Sequence, residues 1–118
     1  EGRAAAVLLR AGAVVDGVEF ARKRRPTART DARLADGPGK LMQVLGLDRA
    51  ADDTPLFGGD GPAALTPPEA PAGPVSAGPR VGVTAAHDVP WRFWITGDPT
   101  VSAYRRHTPR RRPPSGTR

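Results

Sequence analysis

The apolar residues of this chain fall into a few short runs separated by polar or glycine- and proline-rich stretches. The first run covers residues 5–10, where length and branched side chains favour a buried β-strand that continues to Val15 with a bend at Gly12. Residues 80–84 and 91–96 each alternate apolar and polar positions, which predicts two further strands. In the last run, alternation places Trp91 and Phe93 on one face, and we expect that face to lie in the core.

Two segments show helical patterns. Asp16 can cap a helix from Gly17 to about Arg25, and Pro26 ends it. The second helix begins at Pro38, because proline suits a first helical position that needs no donor. Its apolar stripe consists of Leu41, Val44 and Leu45 at positions i, i+3 and i+4. Gly46 suits the left-handed position after the last turn, and Leu47 can fold back onto the stripe.

The remaining segments lack periodic patterns. Residues 27–36 read as a polar connection. Residues 48–79, rich in Pro, Gly, Ala and acids, predict an irregular excursion, which Leu56 and Phe57 can anchor to the body. Val101, Ser102 and Tyr104 can close the fold. We therefore expect one domain over residues 1–104, followed by a disordered basic tail over residues 105–118.

Charge is distributed unevenly along the chain. Of 118 residues, 38% are apolar and 28 are Gly or Pro, so an independent core is marginal. The net charge of +6 equals the six arginines of residues 104–118, so residues 1–103 are neutral overall. Within them, residues 17–40 carry seven bases and three acids, whereas residues 48–70 carry five acids and one base. A basic segment of this kind attracts polyanions, chiefly phosphate, although a merely solvated face has the same composition.

Several kinds of chemistry are disfavoured. The chain has no cysteine and two histidines, which argues against disulfides and a zinc site. His87 and Asp88 suggest a catalytic triad, but no serine lies in a nucleophile-elbow context. No run is long enough to cross a membrane and no signal peptide is visible, so we expect a cytoplasmic protein.

Five segments occur in an order that resembles the C-terminal half of the alkyladenine (3-methyladenine, methylpurine) DNA glycosylases. The resemblance covers about residues 3–102 and is weak over 49–78. It is carried by Val7-Leu8-Leu9-Arg10, the Gly-Val-Glu segment 17–19 with bases behind it, residues 37–48, residues 79–83 and residues 90–102.

The resemblance implies an α+β fold in which a curved antiparallel sheet packs against helices, here as the C-terminal part of a domain whose N-terminal half is missing. It implies an enzyme of base excision repair that flips alkylated or deaminated purines out of duplex DNA and hydrolyses the N-glycosidic bond. It further implies a monomeric bacterial protein, associated with the nucleoid through DNA, that uses no cofactor and no metal.

The resemblance also assigns site residues. It gives Arg10 the role of orienting the attacking water beside a catalytic glutamate, a task suited to a fixed, permanently charged guanidinium. It makes Leu8 a wall of the base pocket. An arginine that faces solvent or pairs with Asp16, and an ordinary core leucine, are the structural alternatives.

A third set of residues is predicted to contact the DNA backbone. Free amides at a helix N-terminus together with a lysine form an anion-binding site, although simple helix initiation explains the same residues. The basic residues of the preceding helix can add phosphate contacts that read no sequence. The set comprises Gly37, Gly39, Lys40, Arg22, Arg24 and Arg25, with Lys23 as a further candidate.

The catalytic carboxylate is expected to lie outside this chain. The resemblance places it upstream of Glu1, and neither Glu19, Asp52, Asp53 nor Asp98 lies in a suitable context. We therefore predict that the chain alone binds DNA weakly and excises no base. The alternatives are a non-enzymatic basic nucleic-acid-binding module and a partly disordered interaction fragment.

Overall fold

The computed structural model describes residues 2–106 and residue 108. Helix α1 (Val18–Arg24) and helix α2 (Pro38–Leu45) are followed by strands β1 (Val75–Gly78) and β2 (Arg92–Ile95). Short 3-10 turns lie at Asp31–Arg33 and Arg49–Ala51. This content is that of a small α+β domain, as the sequence predicts. The sheet within these residues has two antiparallel strands, so a larger curved sheet is not formed by them.

Helix α2 begins and ends where its sequence predicts. Pro38 occupies the first turn, and Gly46 adopts a left-handed conformation at φ 66°. The amides of Gly46 and Leu47 donate to the carbonyls of Gln43 and Met42 at 3.1 and 3.0 Å. This pair of bonds is the Schellman motif, which satisfies carbonyls that the helix leaves free and explains why glycine ends it.

Two details of the helices differ from the prediction. Asp16 does not cap α1, because its carboxylate accepts the amide of the adjacent Gly17 at 2.8 Å. Gly17 itself, left-handed at φ 67°, lies immediately before the helix, which begins at Val18. In α2, Leu45 is half exposed, because α1 packs against the side of the stripe that carries Val44.

The two helices enclose a small core. Its buried members come from α1, the connection and α2, and Leu34 is fully buried at 0% exposure. Partly buried apolar residues from the N-terminal segment and both helices pack around them. The buried members are Ala21, Leu34, Ala35 and Val44, and the surrounding ones are Val14, Val18, Ala28 and Leu41.

The predicted strand at residues 91–96 is confirmed over Arg92–Ile95, and its partner comes from a segment for which no strand was predicted. Strand β2 pairs with β1, in the register Val75↔Ile95 and Gly78↔Arg92. The segment predicted as irregular, 48–79, therefore contains a strand at its end. Residues 80–84 form none, because Gly82 takes φ 72° and interrupts the extended chain.

The N-terminal apolar run is not a strand. A strand needs a neighbour to which its main chain can bond. Among the described residues, residues 2–15 make one such bond outside regular elements, from the Gly12 amide to the Ala35 carbonyl at 3.1 Å. The predicted strand over residues 5–10 and its continuation are therefore not formed.

The apolar face of β2 is uncovered. The predicted alternation is present, but Trp91 and Phe93 are 62% and 66% exposed, so the expectation that they lie in the core is wrong. Leu56 and Phe57, predicted to anchor the excursion, are also exposed. Most of the predicted disordered tail, residue 107 and residues 109–118, lies outside the described residues.

Candidate functional site

A cleft of about 850 Å³ lies between the N-terminal segment and the C-terminal part of the chain. Residues 6–13 form one wall and β2 forms another, and residues from 80–83 and 98–102 complete the lining together with Asp36. The walls are largely apolar and aromatic, and the charged groups among them define the chemistry that the cleft supports.

Leu8 and Arg10, predicted as site residues from sequence, both line this cleft. Leu8 is 68% exposed, so the described residues do not bury it. Arg10 is half-buried. No hydrogen bond or ion pair joins Arg10 to another described residue, Asp16 included. The apolar wall and the guanidinium thus face one space.

A second guanidinium, from Arg92, accompanies Arg10 in the cleft. It lies 4.7 Å from the centre of the Trp94 ring and donates to the Ser102 carbonyl at 2.7 Å. Burial lowers the pKa of Arg92, and the charge of Arg10 lowers that pKa further. Both guanidinium groups line the same cleft.

A similar arrangement holds Arg80 at the edge of the cleft. Its guanidinium lies 5.3 Å from the Trp91 ring, and it donates to the Ala85 carbonyl at 3.1 Å. Stacking on an aromatic ring leaves the in-plane N–H groups of a guanidinium available to an anion. The cleft therefore combines cationic groups with flat aromatic surfaces.

The two carboxylates that line the cleft are occupied by other partners. Asp98 accepts the amide and the hydroxyl of Thr100 at 2.8 and 2.6 Å, and the hydroxyl bond is the main reason that its pKa is lowered. Asp36 pairs with Arg33 and Lys40. Among the described residues neither carboxylate forms an ion pair with Arg10 or Arg92, so their positive charge is not neutralised locally.

Asp36 connects the cleft to the start of α2. Its two carboxylate oxygens separately accept Lys40 Nζ at 2.6 Å and Arg33 Nη1 at 2.9 Å. Burial raises the pKa of Asp36, but the bonds and charges of Lys40 and Arg33 outweigh it and lower the pKa overall. Gly37, the residue before the helix, is extended at φ −162° and no side chain caps the helix at this position.

The basic residues of α1 lie away from the cleft lining and make contacts within the chain. Arg22 pairs with Asp31 on the surface. Arg24 donates to the Val44 carbonyl at 2.6 Å, and Arg25 reaches the Arg33 carbonyl at 3.5 Å. Their predicted phosphate contacts stay a prediction, and so do those of Gly37, Gly39 and Lys40.

Sequence inspection missed Asp36 and Arg92 as residues of this region. A signal for Asp36 was present, since it lies three residues after Arg33 and four before Lys40, spacings at which side chains meet on a helical turn. Arg92 and Trp94 are two apart in a strand and so share a face. Their closeness to Arg10 depends on tertiary folding and leaves no mark in the sequence.

Two further observations concern metal binding and membrane spans. Within the described ranges, no group of three or more His, Cys, Asp or Glu side chains is placed to bind a metal ion. No helix in the same residues has the length and apolarity needed to span a membrane.

Fold and cleft together define a small α+β protein whose aromatic-walled cleft presents unneutralised guanidinium groups. The family model of the methylpurine-DNA glycosylases (MPG) matches residues 1–112, and the chain belongs to this family. The N-terminal segment, both helices and the β1–β2 pair all lie within the matched range.

Relatives with the name "Putative 3-methyladenine DNA glycosylase" support the assignment. The chain is 52% identical to one from Streptomyces avermitilis over 95% of its own length and 54% of the relative's. It is 54% identical to one from Nocardia farcinica over 90% and 50% of the two lengths. With one from Mycolicibacterium paratuberculosis it shares 48% identity over 99% and 55%. The chain thus spans about half the length of these relatives.

Proposed function

We propose that this chain is the C-terminal part of a DNA glycosylase that removes alkylated or deaminated purines in base excision repair. The observation that carries the proposal is the meeting of Leu8 and Arg10 in one cleft, in a chain that belongs to the methylpurine-DNA glycosylase family. The chain matches about half the length of its relatives, and the names of these relatives support the same substrate class.

In the proposed reaction the damaged nucleotide leaves the base stack and enters the cleft, because the glycosidic bond is inaccessible inside duplex DNA. Leu8 contributes an apolar wall to the pocket. Arg10 orients the water that attacks the sugar, since its charge is permanent and its donors are fixed in one plane. The carboxylate that accepts the proton from this water comes from outside these 118 residues.

The amides at the start of α2 and the nearby cations are proposed to contact DNA phosphates. Helix N-termini favour anions, and Lys40 adds a charge beside them. Such contacts fix the position of the protein on the duplex without reading sequence. Arg22, Arg24 and Arg25 contribute secondary contacts, although each also has a partner within the chain.

The uncovered face of the sheet supports the proposal that the domain is incomplete. Val75 and Ile95 are opposite each other in the register, and together with Trp91 and Phe93 they form an exposed apolar surface. A two-stranded sheet needs further strands or a helix to be stable in water. We propose that the part of the domain present in the longer relatives covers this face.

The test adds the missing part of the domain as a separate polypeptide. The substrate is a duplex with a single hypoxanthine, and the measurement is strand cleavage at abasic sites after mild alkali. We expect no excision by the 118-residue chain alone, and excision when it is mixed with the segment of the Streptomyces avermitilis relative that it does not cover. Arg10→Ala should abolish excision by the mixture, whereas Arg29→Ala, an exposed matched control, should leave it unchanged.

Three results would count against the proposal. Efficient excision by the chain alone would show that its carboxylate is not outside these residues. A mixture that forms a complex but excises nothing would refute the glycosylase function. Equal affinity for damaged and intact duplex would favour the non-enzymatic nucleic-acid-binding module, because only a protein that flips a nucleotide gains from a weakened base pair.

A further inference from the structure

Asp36 is a buried carboxylate that holds two exposed cations. Its side chain is 2% exposed, whereas those of Lys40 and Arg33 are 45% and 63% exposed. Each carboxylate oxygen accepts one of the two cations, at 2.6 Å from Lys40 and 2.9 Å from Arg33. One acid thus fixes the direction of two long side chains that reach the surface.

This arrangement leaves donors free. An ammonium group has three N–H donors and a guanidinium has five, so each cation that spends one on Asp36 keeps others for a further acceptor. The three groups together carry one net positive charge. Fixing flexible side chains before a ligand arrives removes part of the entropy that binding otherwise costs.

We propose that Asp36 is a positioning residue that holds Arg33 and Lys40 as a preorganised pair, which binds one phosphate of the DNA backbone. The inference rests on the proposed function for its ligand, and it adds Arg33 and Asp36 to the residues concerned. The acid does not touch the phosphate and acts through the two cations.

The sign of one measurement separates positioning from simple electrostatics. Removing a carboxylate makes the chain more positive, and charge alone then strengthens the attraction to DNA. Loss of positioning has the opposite effect, because the two cations become mobile. Asp36→Asn should therefore weaken binding of an intact duplex by about threefold to tenfold, the range set by immobilising one side chain.

Asp31→Asn provides the matched control. Asp31 also pairs with an arginine, but its side chain is 58% exposed and, among the residues that the structure describes, it holds a single partner, Arg22. This variant should bind DNA as tightly as the parent chain or more tightly. The measurement is fluorescence anisotropy of a labelled intact duplex at two salt concentrations, with a thermal unfolding transition recorded for each variant. If Asp36→Asn strengthens binding as the control does, the proposal is wrong.

A second readout needs no variant. The chain contains two lysines, Lys23 and Lys40, so acylation by an amine-specific reagent followed by mass spectrometry reports each separately. We expect intact duplex to slow the acylation of Lys40 much more than that of Lys23. Equal protection of both lysines, or none at Lys40, would overturn the proposal even if Asp36→Asn failed to fold.

The same data separate this inference from the proposed function. Failure of the glycosylase function appears as a lack of preference for damaged duplex, whereas Lys40 protection uses intact duplex. Protection at Lys40 without lesion preference would retain the phosphate site and reject the enzyme. Lesion-dependent excision without Lys40 protection would retain the enzyme and reject the phosphate site.

Discussion

Arg24 in α1 donates its guanidinium N–H to the main-chain carbonyl of Val44 in α2 at 2.6 Å. The contact is reciprocated, since the side-chain amide of Gln43 donates to the Arg24 carbonyl at 2.9 Å. The carbonyl of Val44 lies in the last turn of α2, where helical carbonyls lack partners and a cation is favoured. Arg24 therefore joins the two helices that enclose the core.

Arg24→Ala should lower the free energy of unfolding by about 1 kcal/mol, because it removes a charged hydrogen bond to a carbonyl that has no other partner among the described residues. Arg22→Ala is the control. Within the part of the chain that the structure describes, Arg22 forms only an exposed ion pair with Asp31, and such pairs contribute about 0.5 kcal/mol or less. Urea unfolding of both variants measures the difference. Equal losses of unfolding free energy in the two variants would show that the bond from Arg24 to Val44 contributes no more than an exposed ion pair.

Two glycines of the α2 region should respond in opposite directions to alanine. Gly46 has φ 66°, and a Cβ there would lie 3.0 Å from the Arg24 guanidinium, so Gly46→Ala should destabilise by about 1 kcal/mol or more. Gly39 lies within the helix with nothing near its Cβ position, so Gly39→Ala should stabilise by about 0.5–1 kcal/mol. Thermal unfolding checks both, and a shift of the same sign in the two variants contradicts the assigned helix end.

The stability of the chain should depend on pH through Asp36. Its folded-state pKa is lowered below the ordinary value of 3.8, so the unfolded chain binds the proton more readily. The contribution is therefore complete above about pH 4 and is lost as the pH falls through the folded-state pKa. Asp36→Asn should unfold more easily than the parent at pH 7, and the difference should shrink below pH 4. A difference that is constant between pH 7 and pH 3 contradicts the ion pairs.

Core and exposed apolar residues should differ sharply in their effects. Leu34 is fully buried, so Leu34→Ala should cost about 2–5 kcal/mol. Phe93 is 66% exposed, so Phe93→Thr should change the stability of the isolated chain by about 0.5 kcal/mol or less while reducing its binding of a hydrophobic dye. When the covering half of the domain is supplied, Phe93→Thr should weaken its association. An unchanged association would argue that this face is not covered by that half.

Gly78 should be intolerant of a side chain. A Cβ there would lie 2.9 Å from the Trp94 ring, whereas none of the described atoms lies within 4 Å of a Cβ at Gly73. In a Trp91→Phe background, where Trp94 is the remaining tryptophan, Gly78→Ala should shift the fluorescence of Trp94 and Gly73→Ala should not. Identical spectra for the two variants would contradict the packing of β1 against this ring.

The sequence alone determined the elements whose causes are local. Pro38 and Gly46 set the ends of α2 through a missing donor and a left-handed backbone, and both operate within one helical turn. The alternation of residues 91–96 likewise fixed the faces of β2. The family resemblance also lay in the order of short motifs and needed no coordinates.

Tertiary structure decided which segments pair and which faces are covered. Val75–Gly78 became the partner of β2, although residues 80–84 show the stronger alternation, because Gly82 interrupts the extended backbone there. The apolar runs at residues 5–10 and at Phe93 predict burial, yet both are exposed, since burial needs a second surface that periodicity cannot supply. The same holds for Arg10, Arg92 and Asp36, which share one cleft only because distant segments meet when the chain folds.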